Sequence, residues 1–247
     1  MNATVAGFIK GKGYLYKCPI CGVVLEDRPW RCPACDTVLD TYRADMFSTI
    51  RHPKVCVDFH GVVFDMLGTL AWYLKEKYGV VLDPSSVTDY DFKCDLGFDR
   101  SLVFEAFQDT NLHSNMKMCP RADEALELLR MRCSTVAYTG AVDKPEIYAI
   151  YSRYISKLGM EGRPMPYKKP VIYDANVLFD DYMDVHRKWY SAGFKGLQYL
   201  IDAPYNQQGS NIGPEWDAVI RVPSFYAGVV DMFRRFGWPL PDKGVAT

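Results

Sequence analysis

Asp58 closes a short apolar run, Val55 to Val57, and is followed by Phe59, His60, Gly61 and, seven residues after the first acid, Asp65. Runs of this kind read as buried parallel strands, and in open α/β sheets the ligand crevice lies beyond their carboxyl ends. Three later runs end in the same way: 135–138 in Thr139 and Gly140, 176–179 in Asp180 and Asp181, and 197–201 in Asp202. Four such strand ends would bring acids and a hydroxyl to one edge of a sheet. The helix start expected near Asp143 to Glu146, just after Thr139 and Gly140, is where backbone N–H groups could cradle a phosphate. Lys168 and Lys169 add positive charge on a loop shortly before the acidic strand end.

A second constellation lies near the N-terminus. Cys18 and Cys21 form one Cys-x-x-Cys pair, and Cys32 and Cys35 form another after ten intervening residues. Each pair can offer two thiolates to one tetrahedral ion, so the expectation is a four-cysteine zinc ribbon. Iron bound as in rubredoxin would use the same ligands, and disulfides are a weaker alternative. Four thiolates leave no open coordination position, which makes the ion structural, and a module this small would draw much of its folding free energy from metal binding.

The elements that must position these residues can be read in outline. Residues 66–77 have the apolar spacing of a helix ended by Gly79, and Ser101 is a candidate cap for a helix through Phe107, with the Asp-rich stretch 80–100 as loop. Residues 121–132 form a further expected helix, and another runs from about Asp143 to Gly159. After the strand at 174–180 come a helix over 181–191, strands near 197–201 and 218–222, and a closing helix over 224–236. Residues 37–53 form a connector with a short helix near 42–50.

This arrangement resembles the haloacid dehalogenase-like phosphohydrolases, whose first motif is Asp-x-Asp-Gly. Asp58, Phe59, His60 and Gly61 match it except at the second acid; Thr139 fits the second motif, Lys168 or Lys169 the third, and Asp180 with Asp181 the fourth. Asp65, the double acid and the segment from Asp202 to Asn206 are similar to the deoxyribonucleotidase branch. The resemblance covers about residues 54–236. It implies an α/β fold with a doubly wound, mostly parallel sheet, and a small helical cap at about 66–118. The expected organisation is ribbon and connector over 1–47 and the catalytic domain over 48–247.

The resemblance also implies a chemistry: hydrolysis of a phosphate ester through an aspartyl-phosphate, with Mg2+ offsetting the repulsion between carboxylate and phosphate. Asp58 would be nucleophile and Mg2+ ligand, the His60 backbone carbonyl and Asp180 further ligands, and Asp181 a ligand through water or an orienting group. Thr139 and the Gly140 amide would hold phosphate oxygens, and Lys169, or its neighbour Lys168, would balance charge. The implied substrate is a nucleoside monophosphate or similar small ester, with Trp72, Tyr73, Phe92, Phe104 and Phe107 as cap aromatics that either stack on a base or pack in the core. His60 departs from the family, which has an acid there. An imidazole, with a reference pKa of about 6.5, can shuttle protons near neutrality, so His60 is either a working acid/base or a mark of lost activity. Two other outcomes stay open: a weakened member that binds protein or nucleic acid through the ribbon, and a polynucleotide 3′-phosphatase.

Composition narrows the field further. The 247 residues are 49% hydrophobic and 24% charged, ordinary for a globular protein, and a formal charge of −1 gives no global basic field for nucleic acid or membrane. No apolar run reaches the roughly 18 residues of a membrane span. Lysine interrupts the first ten residues too soon for a signal sequence, so an intracellular, cytoplasmic protein is expected. His113 and His186 attract no role beyond packing or exposure, and Cys56, Cys94, Cys119 and Cys133 lack ligand spacing.

Overall fold

The computed structural model describes strand residues 4–9, 13–17 and 24–25, and then residues 52–140, 144–162, 164, 171–172, 174–207 and 219–241. The ligand set Cys18, Cys21, Cys32 and Cys35, the lysines Lys168 and Lys169, and the expected helix at 42–50 lie outside the described residues. The chain divides into two units, Met1–Arg51 with Asp231–Thr247, and His52–Val230.

In the first unit, β1 (Thr4–Ile9), β2 (Gly13–Lys17) and β3 (Val24–Leu25) form an antiparallel sheet in that order. Tyr16 pairs with Leu25 and Lys17 with Val24, so these two strands flank Cys18 and Cys21 in sequence. These short strands carry no strong alternation and the sequence reading did not anticipate them.

The second unit is built on β4 (Lys54–Val57), β5 (Ser134–Ala137), β6 (Val177–Asp180), β7 (Leu197–Ile201) and β8 (Val219–Val222). Their order is β5-β4-β6-β7-β8 and every pairing is parallel. Every residue of β6 and β7 is buried, so both faces of these strands are covered, as their mostly apolar runs require. Phe179 stacks on Tyr199 at 4.7 Å and meets Phe225 edge-on at 5.1 Å. The chain leaves β4 to pair β5 on one side, then returns to pair β6 on the other. β4 therefore stands at the switch point where such sheets open a crevice.

The insertion after β4 is helical. α1 (Met66–Tyr78) starts at Asp65, whose carboxylate accepts from the Gly68 N–H at 2.8 Å, and ends at Gly79 with φ 69°. Asp65 thus has a capping job, local to its own helix. α2 (Ser101–Phe107) is capped differently from the expectation: Ser101 is already helical, and the Asp99 carboxylate accepts its N–H at 2.9 Å. Then comes α3 (Thr110–Ser114), a five-residue helix, which the sequence reading missed because it is too short for periodicity to register. Asp109 caps α3 and also accepts from the Tyr73 hydroxyl at 2.5 Å and from Lys77 at 2.6 Å, fastening α3 to α1.

The remaining helices are α4 (Ala122–Arg130), α5 (Pro145–Lys157), α6 (Met183–Ser191) and α7 (Phe225–Arg235). Each falls within the span read from the sequence. Among the described residues, no helix is long and apolar enough to cross a membrane.

Candidate active site

Register places the site. The Asp58 N–H donates to the Phe179 carbonyl at 3.0 Å and the Tyr138 N–H to the Val57 carbonyl at 2.7 Å. The carboxyl ends of β5, β4 and β6 are therefore level, and Asp58, Thr139, Asp180 and Asp181 emerge there. All four are buried, Asp58 at 3% exposure, Asp181 at 2% and the other two at 0%. One carboxylate oxygen from each of Asp58, Asp180 and Asp181 lies within 4.8 Å of the other two.

Three buried carboxylates at this spacing repel one another, and a dication among them turns that repulsion into attraction. Hard oxygen donors of this number suit Mg2+, which takes a few carboxylates and fills its shell with water and substrate oxygens. The donor set thus fits the metal that the sequence resemblance implies.

Each acid is also held from behind. Asp58 accepts from the Phe59 N–H at 2.7 Å, and Asp180 from the Tyr182 N–H at 2.9 Å. His186, fully buried, bonds the Asp180 carbonyl at 3.1 Å through Nε2 and the Gln198 side chain at 3.2 Å through Nδ1. The Tyr205 hydroxyl donates to Asp181 Oδ2. Burial first, and then the Asp181 charge, raise the Tyr205 phenol well above its ordinary range, so it remains a donor. Tyr205 sits on a 3₁₀ turn, Pro204–Asn206, pinned by Asn206 to the Asp181 carbonyl at 2.9 Å and the Ile201 carbonyl at 2.7 Å. Arg221 holds this turn from β8, donating to Asp202 at 2.7 Å and to the Asn206 carbonyl at 2.6 Å.

Removing the Tyr205 hydroxyl should therefore loosen one candidate ligand, Asp181, without touching Asp58 or Asp180. Tyr205→Phe is expected to weaken Mg2+ binding by about 10- to 100-fold, the usual effect of losing a group that orients a ligand. Titration calorimetry would measure it; unchanged affinity would mean that Asp181 needs no such support.

The turn after β4 is tight. Gly61 has φ 68°, its N–H donates to the Phe64 carbonyl at 2.8 Å, and the Val63 and Phe64 N–H groups both donate to the Phe59 carbonyl. A Cβ on Gly61 would sit 1.8 Å from Asp181 Oδ2. His60, half-buried on this turn, has its Nε2 2.5 Å from the Tyr151 hydroxyl on α5. That hydroxyl lies 2.8 Å from His113 Nδ1 on α3, and His113 Nε2 is 3.0 Å from the Phe107 carbonyl.

The aromatics flanking the acids differ from those anticipated. Tyr73 and Phe92 are buried, Phe92 against Phe107 at 5.9 Å, and Phe104 lies under the Arg100 guanidinium at 4.8 Å. The ring set beside the acids is Tyr90, stacked on Tyr182 at 3.8 Å and edge-on to Tyr205 at 5.4 Å. Tyr205 lies in the segment from Asp202 to Asn206 that carries the sequence resemblance, whereas Tyr90 falls on a loop of no periodic signal and only its proximity in the fold reveals it. Thr139 makes a long contact from its hydroxyl to the Gly140 carbonyl at 3.5 Å, and Gly140 is half-buried beside it.

No family model matches the chain, and no curated protein matches it. Among solved structures it is similar to a haloacid dehalogenase-like hydrolase from Burkholderia xenovorans LB400, at 18% identity and TM-score 0.46 over 76% of this chain and 100% of that one. It is also similar to a haloacid dehalogenase-like hydrolase from Streptococcus pneumoniae, at 12% identity and TM-score 0.41 over 62% of this chain and 85% of the other. A haloacid dehalogenase-like family hydrolase from Xanthomonas campestris gives 10% identity and TM-score 0.41, over 76% and 97% of the respective chains.

Proposed function

We propose that this chain is a Mg2+-dependent phosphohydrolase of the haloacid dehalogenase-like type, acting on nucleoside monophosphates or similar small phosphate esters through an aspartyl-phosphate on Asp58. The observation that carries this reading is the convergence of three buried carboxylates, Asp58, Asp180 and Asp181, at adjacent parallel strand ends with Thr139 alongside.

Asp58, Asp180, Asp181 and the His60 backbone carbonyl would hold the Mg2+, which when bound offsets the negative charge shared by carboxylate and phosphate. Asp58 then attacks phosphorus while the ester oxygen departs, and Thr139 with the Gly140 amide receives the phosphoryl oxygens. Lys169, or Lys168, supplies compensating charge. His60 gives a proton to the leaving oxygen and later takes one from the water that attacks the aspartyl-phosphate, restoring Asp58 and releasing phosphate. The Tyr90, Tyr182 and Tyr205 rings give this edge an aromatic wall suited to a nucleobase, since stacking on such a face contributes about 1 to 3 kcal/mol per base.

The test is phosphate release, with Mg2+, from a panel of nucleoside monophosphates and 3′-phosphorylated oligonucleotides. The wild type is compared with Asp58→Asn and His60→Asp. Turnover on the mononucleotides that Asp58→Asn abolishes supports the proposal, whereas turnover confined to oligonucleotides favours a strand-end phosphatase. A wild type inert on every substrate, with Mg2+ bound, would set the hydrolytic reading aside. A gain on His60→Asp from an inert wild type would identify a site that has kept its acids but lost its proton carrier.

For the N-terminal cysteines, the paired spacing supports one structural zinc held by Cys18, Cys21, Cys32 and Cys35, with protein or nucleic acid as partners it could serve. Metal analysis should then find roughly one zinc per chain, lost when any of the four is replaced. Zinc retained in all four single variants would rule this ligand set out.

A further inference from the structure

As folded, the acids are covered. Asp58, Thr139, Asp180 and Asp181 have at most 3% of their surface exposed, so a phosphate ester meets Asp58 only after something moves. The helical part of the insertion is fastened in place. From α5 and the residue before it, Lys144 donates to the Gln108 carbonyl at 2.9 Å, and the Tyr154 hydroxyl donates to the His113 and Ser114 carbonyls at 3.2 and 3.1 Å. The two ends of the insertion also hold each other, the Asp65 N–H donating to the Lys117 carbonyl and the Cys119 N–H to the Val63 carbonyl, both at 2.8 Å. The loop 83–99 is held differently. Among the described residues, its hydrogen bonds stay within the loop or reach only residues 100–102. A segment so bonded opens at lower cost than the helices around it.

Tyr90 is the residue this loop lays against the acids. Its neighbours Val87 and Phe92 are buried anchors, whereas Tyr90 keeps 39% of its surface in solvent. Its ring is stacked on Tyr182, which directly follows Asp181, at 3.8 Å and 13°, and is edge-on at 5.4 Å to Tyr205, whose hydroxyl bonds Asp181. Burial, and then the charges of Asp181, Asp58 and Asp180, raise the Tyr90 phenol far above its ordinary range, as expected of a hydroxyl turned toward those acids. Tyr90 thus lies between buried carboxylates and solvent.

We propose that Tyr90 is a specificity-determining shutter: its ring occupies the face of Tyr182 that the aromatic part of a substrate takes, and the ester is admitted when its own flat ring replaces Tyr90 in that stack. This rests on the phosphohydrolase reading and names the substrate class as phosphate esters that carry an aromatic or heteroaromatic ring. At 3.8 Å nothing fits between the two tyrosines, and a ring stacked on the outer face of Tyr90 would leave the acids covered. Displacement is therefore the route that joins stacking to access. A flat ring exchanges one stack for another, whereas a sugar phosphate breaks the tyrosine stack and forms none. An aromatic pair is worth about 3- to 10-fold in an equilibrium constant, and that is the discrimination the shutter supplies.

The experiment has two arms on the full chain. In the first, without added metal, a water-soluble carbodiimide and an amine label accessible carboxylates, and peptide mapping follows Asp58, Asp180 and Asp181. Tyr90→Ala should be labelled there several times faster than wild type; equal rates would overturn the proposal. In the second, with Mg2+, kcat/KM is compared for adenosine 5′-monophosphate and ribose 5-phosphate, which differ by the base alone. The preference for the nucleotide should fall about 3- to 10-fold in Tyr90→Ala because ribose 5-phosphate is used faster, and Tyr90→Phe, which keeps the ring, should restore it. A fall that comes instead from slower use of the nucleotide would make Tyr90 a fixed wall and overturn the shutter. If Tyr90→Ala does not fold, Tyr90→Leu, which fills the space without an aromatic face, is read in both arms. If no protein hydrolyses either ester, the phosphohydrolase reading has failed and the substrate class with it, while the labelling rates still decide whether Tyr90 covers the acids.

Discussion

Asp58→Asn is expected to remove phosphatase turnover, by at least about 10,000-fold, while leaving the protein folded. The two side chains have the same shape. An asparagine oxygen at this position can still accept from the Phe59 N–H, the bond that Asp58 accepts at 2.7 Å, so the strand end keeps its geometry. What the amide cannot do is bond to phosphorus and leave again. The substitution should also separate stability from activity. Asp58 shares a buried site with Asp180 and Asp181, and without metal their mutual repulsion opposes folding. Metal-free Asp58→Asn should therefore melt at a temperature no lower than metal-free wild type, by calorimetry, whereas Mg2+ should raise the wild-type melting temperature more than that of the variant. A variant that melts well below the wild type without metal would mean that the carboxylate is structural.

Gly61→Ala should also be damaging, although it adds only one methyl group away from the reacting oxygens. The backbone there has φ 68°, where a side chain costs about 1 to 2 kcal/mol. Space is the larger obstacle: the new carbon would lie 1.8 Å from Asp181 Oδ2, 2.7 Å from its Cγ and 2.9 Å from the Tyr205 hydroxyl oxygen. Something must move, and the candidates are the acid, the phenol that holds it, and the turn that carries His60. Displacing a group by about 1 Å can cost on the order of 100-fold in rate, so kcat/KM should fall at least that far and Mg2+ affinity with it. Steady-state kinetics at saturating and limiting Mg2+ would separate the two losses. Near wild-type values in both would show that the turn yields without disturbing Asp181.

The sheet was legible in the sequence because its central strands are covered on both faces. Val177 to Asp180 and Leu197 to Ile201 are buried at every position, which writes them as mostly apolar runs, interrupted only by Gln198, with an acid at or just after the end. α1 was legible through Gly79, whose left-handed conformation ends the helix as the sequence pattern expects. Caps were less so, since an Asp or Ser near a helix start leaves the choice of acceptor open. Asp99 serves Ser101, and Asp65 serves Gly68, and only the folded geometry tells which acid caps and which faces the site.

The positions near the acids were legible where a strand ends in them or where the motif resemblance reaches, as at His60, Gly61 and the segment from Asp202 to Asn206. Asp58, Asp180 and Asp181 come together because parallel register levels their strand ends. Tyr151 reads as one more apolar position on an amphipathic helix, yet its hydroxyl reaches His60 from 91 residues away and His113 from 38. His113 lies on a helix of five residues and carries no local signal. Tyr205 reaches Asp181 from a turn that Asn206 and Arg221 hold in place. Such contacts depend on how distant segments meet, and a single sequence records that only through the final fold.

The central claim is that phosphate passes through Asp58. The direct measurement is a rapid acid quench of the wild type during turnover with Mg2+ and a labelled mononucleotide, followed by peptide mapping. The account predicts transient label on the peptide bearing Asp58, formed no slower than phosphate is released and absent from Asp58→Asn. Label on a different residue, or brisk phosphate release by Asp58→Asn, would contradict it.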